Sequence, residues 1–211
     1  MTHFNVAHLT KRPTISRASV ATSSQRAVSR LRLCIVTETY TPEVNGVAMI
    51  VARLVDGLRS RGHIVSIIRP RQRIADGYSG GIDPRVTLVR GLPLPRYQGV
   101  QFGLPVGGVF RRVWSRCRPD VIYVATEGPL GWSAVCAARR LRIPILSGFY
   151  TNFHSYSQYY RAGWLQPVIL HYLRVFHNRA LGTLVPSKEN QAQLQGLGVH
   201  NVHLLAHGVD T

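Results

Sequence analysis

The chain has 211 residues, 45% hydrophobic and 17% charged, a composition that sustains a packed core and excludes wholesale disorder. Its charge is lopsided: 26 Lys and Arg against 9 Asp and Glu give a net charge of +17, which favours phosphate-bearing partners without specifying a fold. The cysteines at 34, 117 and 136 are too far apart for a disulfide framework or a zinc knuckle, so a reducing compartment is expected.

Residues 1–30 contain no acid and are rich in Ser, Thr and Arg. They read as a disordered basic tail, a composition that organellar transit peptides share. Most of the basic excess lies beyond it, so the tail does not account for the charge. No apolar run there makes a secretory signal, and none elsewhere reaches the ~18 residues that span a bilayer.

From residue 31 onward, strand and helix patterns alternate. A β-branched run at 31–37 predicts a buried strand that ends in a loop with Pro42 and Gly46. Ile50, Val51, Leu54, Val55 and Leu58 recur at helical spacing and Gly62 stops the run. Strands are expected at 64–68 and 86–89, separated by a polar, glycine-rich loop and followed by a Gly/Pro-punctuated connection over 91–105. Val106, Val109, Phe110, Val113, Trp114 and Cys117 line one face of the next helix, with Arg111, Arg112, Arg116 and Arg118 mostly off it. The alternation continues with strands at 121–126, 143–147, 183–186 and 202–206 and helices at 130–141, 163–181 and 188–197. Short, continuous, apolar strands alternating with helices imply βαβ units. The expected fold is therefore α/β: a single Rossmann-like, doubly wound parallel sheet over residues 31–211.

Such a sheet binds its ligand beyond the carboxyl ends of its strands. After the first strand, Asn45-Gly46-Val47 opens a helix. Unpaired N–H groups and a positive dipole end there suit a phosphate; equally, Asn45 caps the helix and Gly46 relieves the turn. The GxGxxG and GxxxxGK[ST] fingerprints are absent, which argues against a dehydrogenase or a nucleoside triphosphatase. After the fourth strand, Glu127 is placed either to touch a polyol hydroxyl or to stabilise the adjacent helix start. After the fifth, residues 147–160 interleave aromatic and hydroxyl side chains, as a sugar or lipid head group requires. Cys136 sits among alanines and valines and reads as core. The histidines lack metal-ligand spacing, so no metal is expected.

The same loops carry a resemblance. Glu38-Thr-Tyr-Thr-Pro-Glu-Val-Asn-Gly-Val47, Arg61-Gly-His63, Asp120-Val-Ile-Tyr-Val-Ala-Thr-Glu-Gly-Pro-Leu-Gly131, Phe149 to His154, Phe176-His-Asn-Arg179, Val185-Pro-Ser187 and Gly208-Val-Asp-Thr211 occur in the order of family 4 retaining glycosyltransferases. The resemblance is to GDP-mannose-dependent mannosyltransferases and to the sulfoquinovosyl- and glucosyltransferases that make glycolipids. It implies the N-terminal, acceptor-side half of a GT-B architecture, with a C-terminal donor-binding domain beyond the Gly208–Thr211 block. The implied donor is a nucleotide-diphosphate sugar such as GDP-mannose or a UDP-sugar, with no other cofactor and no metal. The implied acceptor is a lipid or glycan.

The expected site comprises Asn45, Gly46 and Val47 toward the diphosphate, and Glu127, Thr151, Asn152 and His154 for hydroxyl contacts. Tyr150 stands where the family carries a catalytic histidine. A phenol with a reference pKa near ~10 is a poor proton shuttle at neutral pH. The expected location is cytoplasmic or peripheral on the cytoplasmic membrane face, with an anionic membrane surface as partner and no nucleic acid. The rival reading is a non-catalytic lipid- or glycan-binding remnant of a truncated glycosyltransferase gene.

Overall fold

The computed structural model describes residues 29–41, 43, 45–71, 83–93, 101–150 and 166–205. In chain order these form β1 (Arg32–Val36), α1 (Gly46–Ser60), β2 (Ile64–Pro70), β3 (Val86–Val89), β4 (Gly91–Pro93), β5 (Gln101–Gly103) and α2 (Gly107–Arg116). There follow β6 (Val121–Val124), α3 (Pro129–Arg140), β7 (Ile145–Gly148), α4 (Gln166–His177), β8 (Gly182–Val185), α5 (Lys188–Gly196) and β9 (Val202–Leu204).

Seven strands make one sheet in the order β3-β2-β1-β6-β7-β8-β9, and every pairing is parallel. β1 shows why the apolar runs are continuous. Successive side chains point to opposite faces, and both faces are covered. Ile35 packs with Val51 and Val55 of α1, while Cys34 and Val36 pack with Phe110 and Trp114 of α2 and with Leu130 and Ala134 of α3. Leu173 of α4 and Leu194 of α5 close the core over Val185 and Val202. The expected doubly wound α/β fold is the observed one.

Four local expectations change. The connection over 91–105 holds a two-stranded antiparallel ribbon, β4 with β5, whose glycines and prolines conceal it as strand. The helix expected over 163–181 ends at His177, because residues 178–181 turn directly into β8, and its residues 163–165 lie outside the described residues. Strand β7 starts two residues late, at Ile145, since Pro144 is exposed and only its carbonyl joins the sheet, accepting from Ile122 N–H at 2.9 Å. Cys136 is half-buried on the outer side of α3 rather than in the core, with an Arg179 guanidinium nitrogen 4.0 Å from its sulfur.

The apolar face of α2 is anchored to the sheet by its two rings, whereas Cys117, expected on that face, lies past the helix end and is exposed. Phe110 and Trp114 stack at 4.7 Å between ring centroids and are 0% and 2% exposed. The Trp114 indole N–H donates to Cys34 Sγ on β1 at 3.4 Å, which gives the ring's one polar atom a buried partner. These two rings therefore cannot enter a membrane interface, and the arginines at 111, 112 and 116 form the outer face. Truncation of this anchor leaves a cavity beneath the central strand. Trp114→Ala is expected to lower unfolding stability by about 3–5 kcal/mol, read as a fall in the urea midpoint with an unchanged slope.

Candidate functional site

The strand order reverses between β1 and β6, and such a switch point opens a crevice at the carboxyl ends of the strands. The loops after β1 and β6 flank it. They are stitched together by Ala125 N–H donating to the Val36 carbonyl at 2.9 Å and by Glu38 N–H donating to Thr126 Oγ1 at 3.0 Å.

At this seam lies Glu38, 7% exposed. Its Oε1 accepts the Leu130 N–H at 3.0 Å, so the carboxylate sits on the open N-terminus of α3. The Glu-Gly-Pro-Leu-Gly sequence makes room for it. A Cβ at Gly128 would lie 2.1 Å from Glu38 Oε1, and one at Gly131 would lie 2.1 Å from the Thr126 carbonyl oxygen. The α3 start is thus already occupied by a carboxyl group of the chain itself. The helix-stabilising role that Glu127 was eligible for belongs to Glu38.

The α1 start is different. Asn45 Oδ1 accepts the Ala48 N–H at 2.9 Å, and its amide nitrogen donates to Thr39 Oγ1 at 2.5 Å; Thr39 in turn donates to the Glu43 carboxylate. The capping expectation for Asn45 therefore holds. Gly46 does not relieve the turn, since its φ lies outside the left-handed region, and a Cβ there would meet nothing within 4 Å.

Beyond β6, β7 and β8 lies a polar cluster in an otherwise apolar layer. His177 closes α4 and is 1% exposed. Its Nδ1 is 3.0 Å from Ser147 Oγ and 3.4 Å from Thr183 Oγ1, and the two hydroxyls are 3.0 Å apart. Its Nε2 faces Glu127 Oε1 at 3.6 Å, and both of these atoms are buried without a hydrogen bond. From the same helix, the Tyr172 hydroxyl donates to the Glu127 carbonyl. A Ser–His–carboxylate string suggests a hydrolase, but Ser147 is 0% exposed and its oxygen is shared with Thr183, so no substrate carbonyl reaches it. Nearby, the hydroxyls of Tyr150 and Tyr123 are hydrogen-bonded to each other, and burial pushes both phenols above their ordinary pKa.

The structure thus brings Asn45, Gly46, Val47, Glu127 and Tyr150 to the strand ends, while Thr151, Asn152 and His154 lie outside the described residues. Sequence reasoning missed Glu38 and His177. The available signal for His177 was a Ser and a Thr inside otherwise apolar buried strands, which require a polar partner. Among the described residues no cluster of His, Cys, Asp or Glu could hold a metal ion.

The sheet order and the switch-point crevice define a Rossmann-like, doubly wound domain. Sucrose-phosphate synthase from Thermosynechococcus elongatus superposes with a TM-score of 0.59 at 14% identity, over 85% of this chain and 49% of that one. The model of Glycosyltransferase Family 4 matches residues 44–211, and the chain belongs to that family. It is 32% identical to a GDP-mannose-dependent alpha-mannosyltransferase of Corynebacterium glutamicum, over 86% of this chain and 44% of the relative. It is 27% identical to an alpha-monoglucosyldiacylglycerol synthase of Streptococcus pneumoniae, over 75% of this chain and 36% of that one. The chain spans about half the length, or less, of these curated relatives.

Glu38 makes the site sensitive to pH. Burial is the main cause that raises its carboxyl from 4.5 to about 7, against the N–H groups of Leu130 and Gly131, which lower it. The folded state then holds this proton more tightly than the unfolded chain does. Between about pH 4.5 and 7 the group's contribution falls as pH rises, and above 7 the cost is constant. With ~1.4 kcal/mol per pKa unit, the cost at pH 8 is of order 3 kcal/mol. Urea unfolding between pH 5 and 8 is expected to show a flatter stability profile for Glu38→Gln than for the wild type; parallel profiles would exclude the assignment.

Proposed function

We propose that this chain is the acceptor-side half of a retaining hexosyltransferase that moves sugar from a nucleotide-diphosphate donor to a lipid or glycan acceptor. The observation that carries the reading is the contrast between the two helix starts at the crevice. One holds the Glu38 carboxyl on its N–H groups; at the other, beside the Glu43 carboxylate that Thr39 and Asn45 bind, a Cβ on Gly46 would meet no described atom within 4 Å. In this reading the Gly46 and Val47 N–H groups face the leaving diphosphate, and the α1 dipole offsets its charge without a metal. Glu127 accepts an acceptor hydroxyl, and Thr151, Asn152 and His154 add further polar contacts. A C-terminal domain supplies the other wall of the cleft and most of the donor site, while residues 1–30 stay outside the catalytic unit.

A second reading, a non-catalytic glycan- or lipid-binding remnant, is favoured by one observation. The Tyr150 hydroxyl is tied to Tyr123 and its pKa is raised, so it does not shuttle protons at neutral pH. One experiment separates the two. The 211-residue chain is assayed alone and joined to the C-terminal half of the Corynebacterium relative, with GDP-mannose, UDP-glucose and UDP-sulfoquinovose as donors. The chain alone is expected to be blank, the joined protein to transfer sugar, and its Tyr150→His variant to be ~10²–10⁴-fold faster. Turnover by the isolated chain would overturn the half-site reading. A folded but inactive joined protein, with or without Tyr150→His, would favour the remnant.

The lipid acceptor is joined by a basic face. Helices α2 and α3 carry no acid, and Arg111, Arg112, Arg116, Arg139 and Arg140 are exposed along them. Between the helices lies a pocket of about 340 Å³ lined by Gly107, Gly108, Arg111, Ser133, Cys136 and Arg140, among others. No helix among the described residues is long and apolar enough to cross a membrane. With Phe110 and Trp114 committed to the sheet, contact with an anionic surface on this face is electrostatic, about 1 kcal/mol per arginine. A chain begun at Leu31 is expected to co-sediment with anionic but not neutral vesicles, to dissociate as salt rises, and to bind less when Arg111, Arg112 and Arg116 become Gln. Equal partitioning to both vesicle types would leave these arginines as a solvated face.

A further inference from the structure

The buried cluster at the end of α4 has a proton arrangement that its geometry constrains. Ser147 Oγ, Thr183 Oγ1 and His177 Nδ1 form a triangle with edges of 3.0, 3.0 and 3.4 Å. Each hydroxyl has one proton to donate. If Nδ1 is bare, Ser147 donates to it and Thr183 donates to Ser147, and every group in the triangle is used. If Nδ1 carries the ring's one proton, His177 donates to Ser147 and Ser147 to Thr183, leaving the Thr183 proton without an acceptor within the triangle. The bare Nε2 lone pair would then point at a carboxylate. The first arrangement satisfies every group of the triangle and turns Nε2–H toward Glu127 Oε1, 3.6 Å away.

We propose that His177 is a positioning residue that presents Nε2–H to Oε1 of Glu127 and so holds the other carboxylate oxygen, Oε2, toward the strand ends to accept a hydroxyl of a polyol ligand. This rests on the reading of Glu127 given above. Three features converge on it. Oε1 is sealed from solvent with no hydrogen bond, while the side chain as a whole keeps 14% exposure. The Tyr172 hydroxyl fixes the Glu127 carbonyl from the same helix, so α4 holds both the main chain and the side chain of this residue. The imidazole itself has little freedom, being set edge-on to the Phe149 and Phe176 rings at 5.6 and 5.1 Å. At 3.6 Å the His177–Glu127 contact is longer than a hydrogen bond. It is an oriented dipole facing a carboxylate, able to shorten when Oε2 engages a hydroxyl.

The test uses the full 211-residue chain labelled with ¹⁵N in histidine, and long-range proton–nitrogen spectra that report which ring nitrogens are protonated. His177 is expected to carry a proton on Nε2, with Nδ1 accepting. Glu127→Gln is expected to shift the Nε2 resonance while leaving the other histidines in place, a signature that a purely packing role would not produce. Millimolar methyl α-mannoside is expected to move the same resonance in the wild type but not in Glu127→Gln. A proton on Nδ1 with a bare Nε2, or an Nε2 resonance indifferent to Glu127→Gln, overturns the proposal and leaves the hydroxyl role of Glu127 standing. If the His177–Glu127 coupling is present but the glycoside moves neither nitrogen, the hydroxyl role fails, and with it the purpose assigned to His177.

Discussion

A single buried carboxylate organises the crevice. Glu38 leaves the end of the central strand β1 and accepts an N–H from the first turn of α3, 92 residues further along the chain. That contact fixes the relation between the two halves of the sheet at the point where their order reverses. It also consumes the positive end of α3, which would otherwise compete for a phosphate. The α1 start is capped instead by Asn45. The cost of holding Glu38 here is the desolvation of its carboxyl, which is raised to about 7.

The second organising element is a polar cluster placed where apolar packing would have been simpler. Ser147 and Thr183 are both 0% exposed on neighbouring strands, and a methyl in place of either hydroxyl would fill the volume. Their hydroxyls need a partner, and His177 provides it from α4. The result is a helix registered against the sheet by hydrogen bonds as well as by Leu173 and Phe176. Apolar contacts tolerate sliding, whereas a donor–acceptor triangle does not. Above the cluster, Arg179 lies 4.3 Å from the Trp132 ring centroid, and Trp132 packs against Tyr172 and Phe176, so the same helix end is also gripped by α3.

The layering was legible because buried parallel strands must be apolar on both faces, and runs such as Ile35-Val36 and Ile67-Ile68 announce themselves. The β4–β5 ribbon was not, because Gly91, Pro93 and Gly103 carry turn chemistry that outweighs three-residue strands in any local reading. Asn45 and Glu127 were legible as candidates because one precedes a helix start in the loop after β1 and the other follows β6 closely. Glu38 also follows a strand, but its role depends on a helix start far along the chain and on Gly128, which clears space for it, and spacing carries no information on either. His177 was read as a helical histidine without a metal partner. Its significance lies in two short polar side chains on separate strands, which only the register of β7 with β8 brings together.

The setting of Gly46 has a consequence for how substitutions there are interpreted. An added methyl meets no atom of the described residues and the backbone needs no left-handed conformation, so the described residues place no steric demand for glycine at this position. Alanine in place of glycine inside a helix is, if anything, favourable. A library scored for abundance would therefore accept small residues at position 46. The same library scored for binding would reject them only if a second body, a ligand or another domain, comes within van der Waals reach of that backbone. The divergence between the two scores at this one residue would measure how closely something outside the chain approaches it.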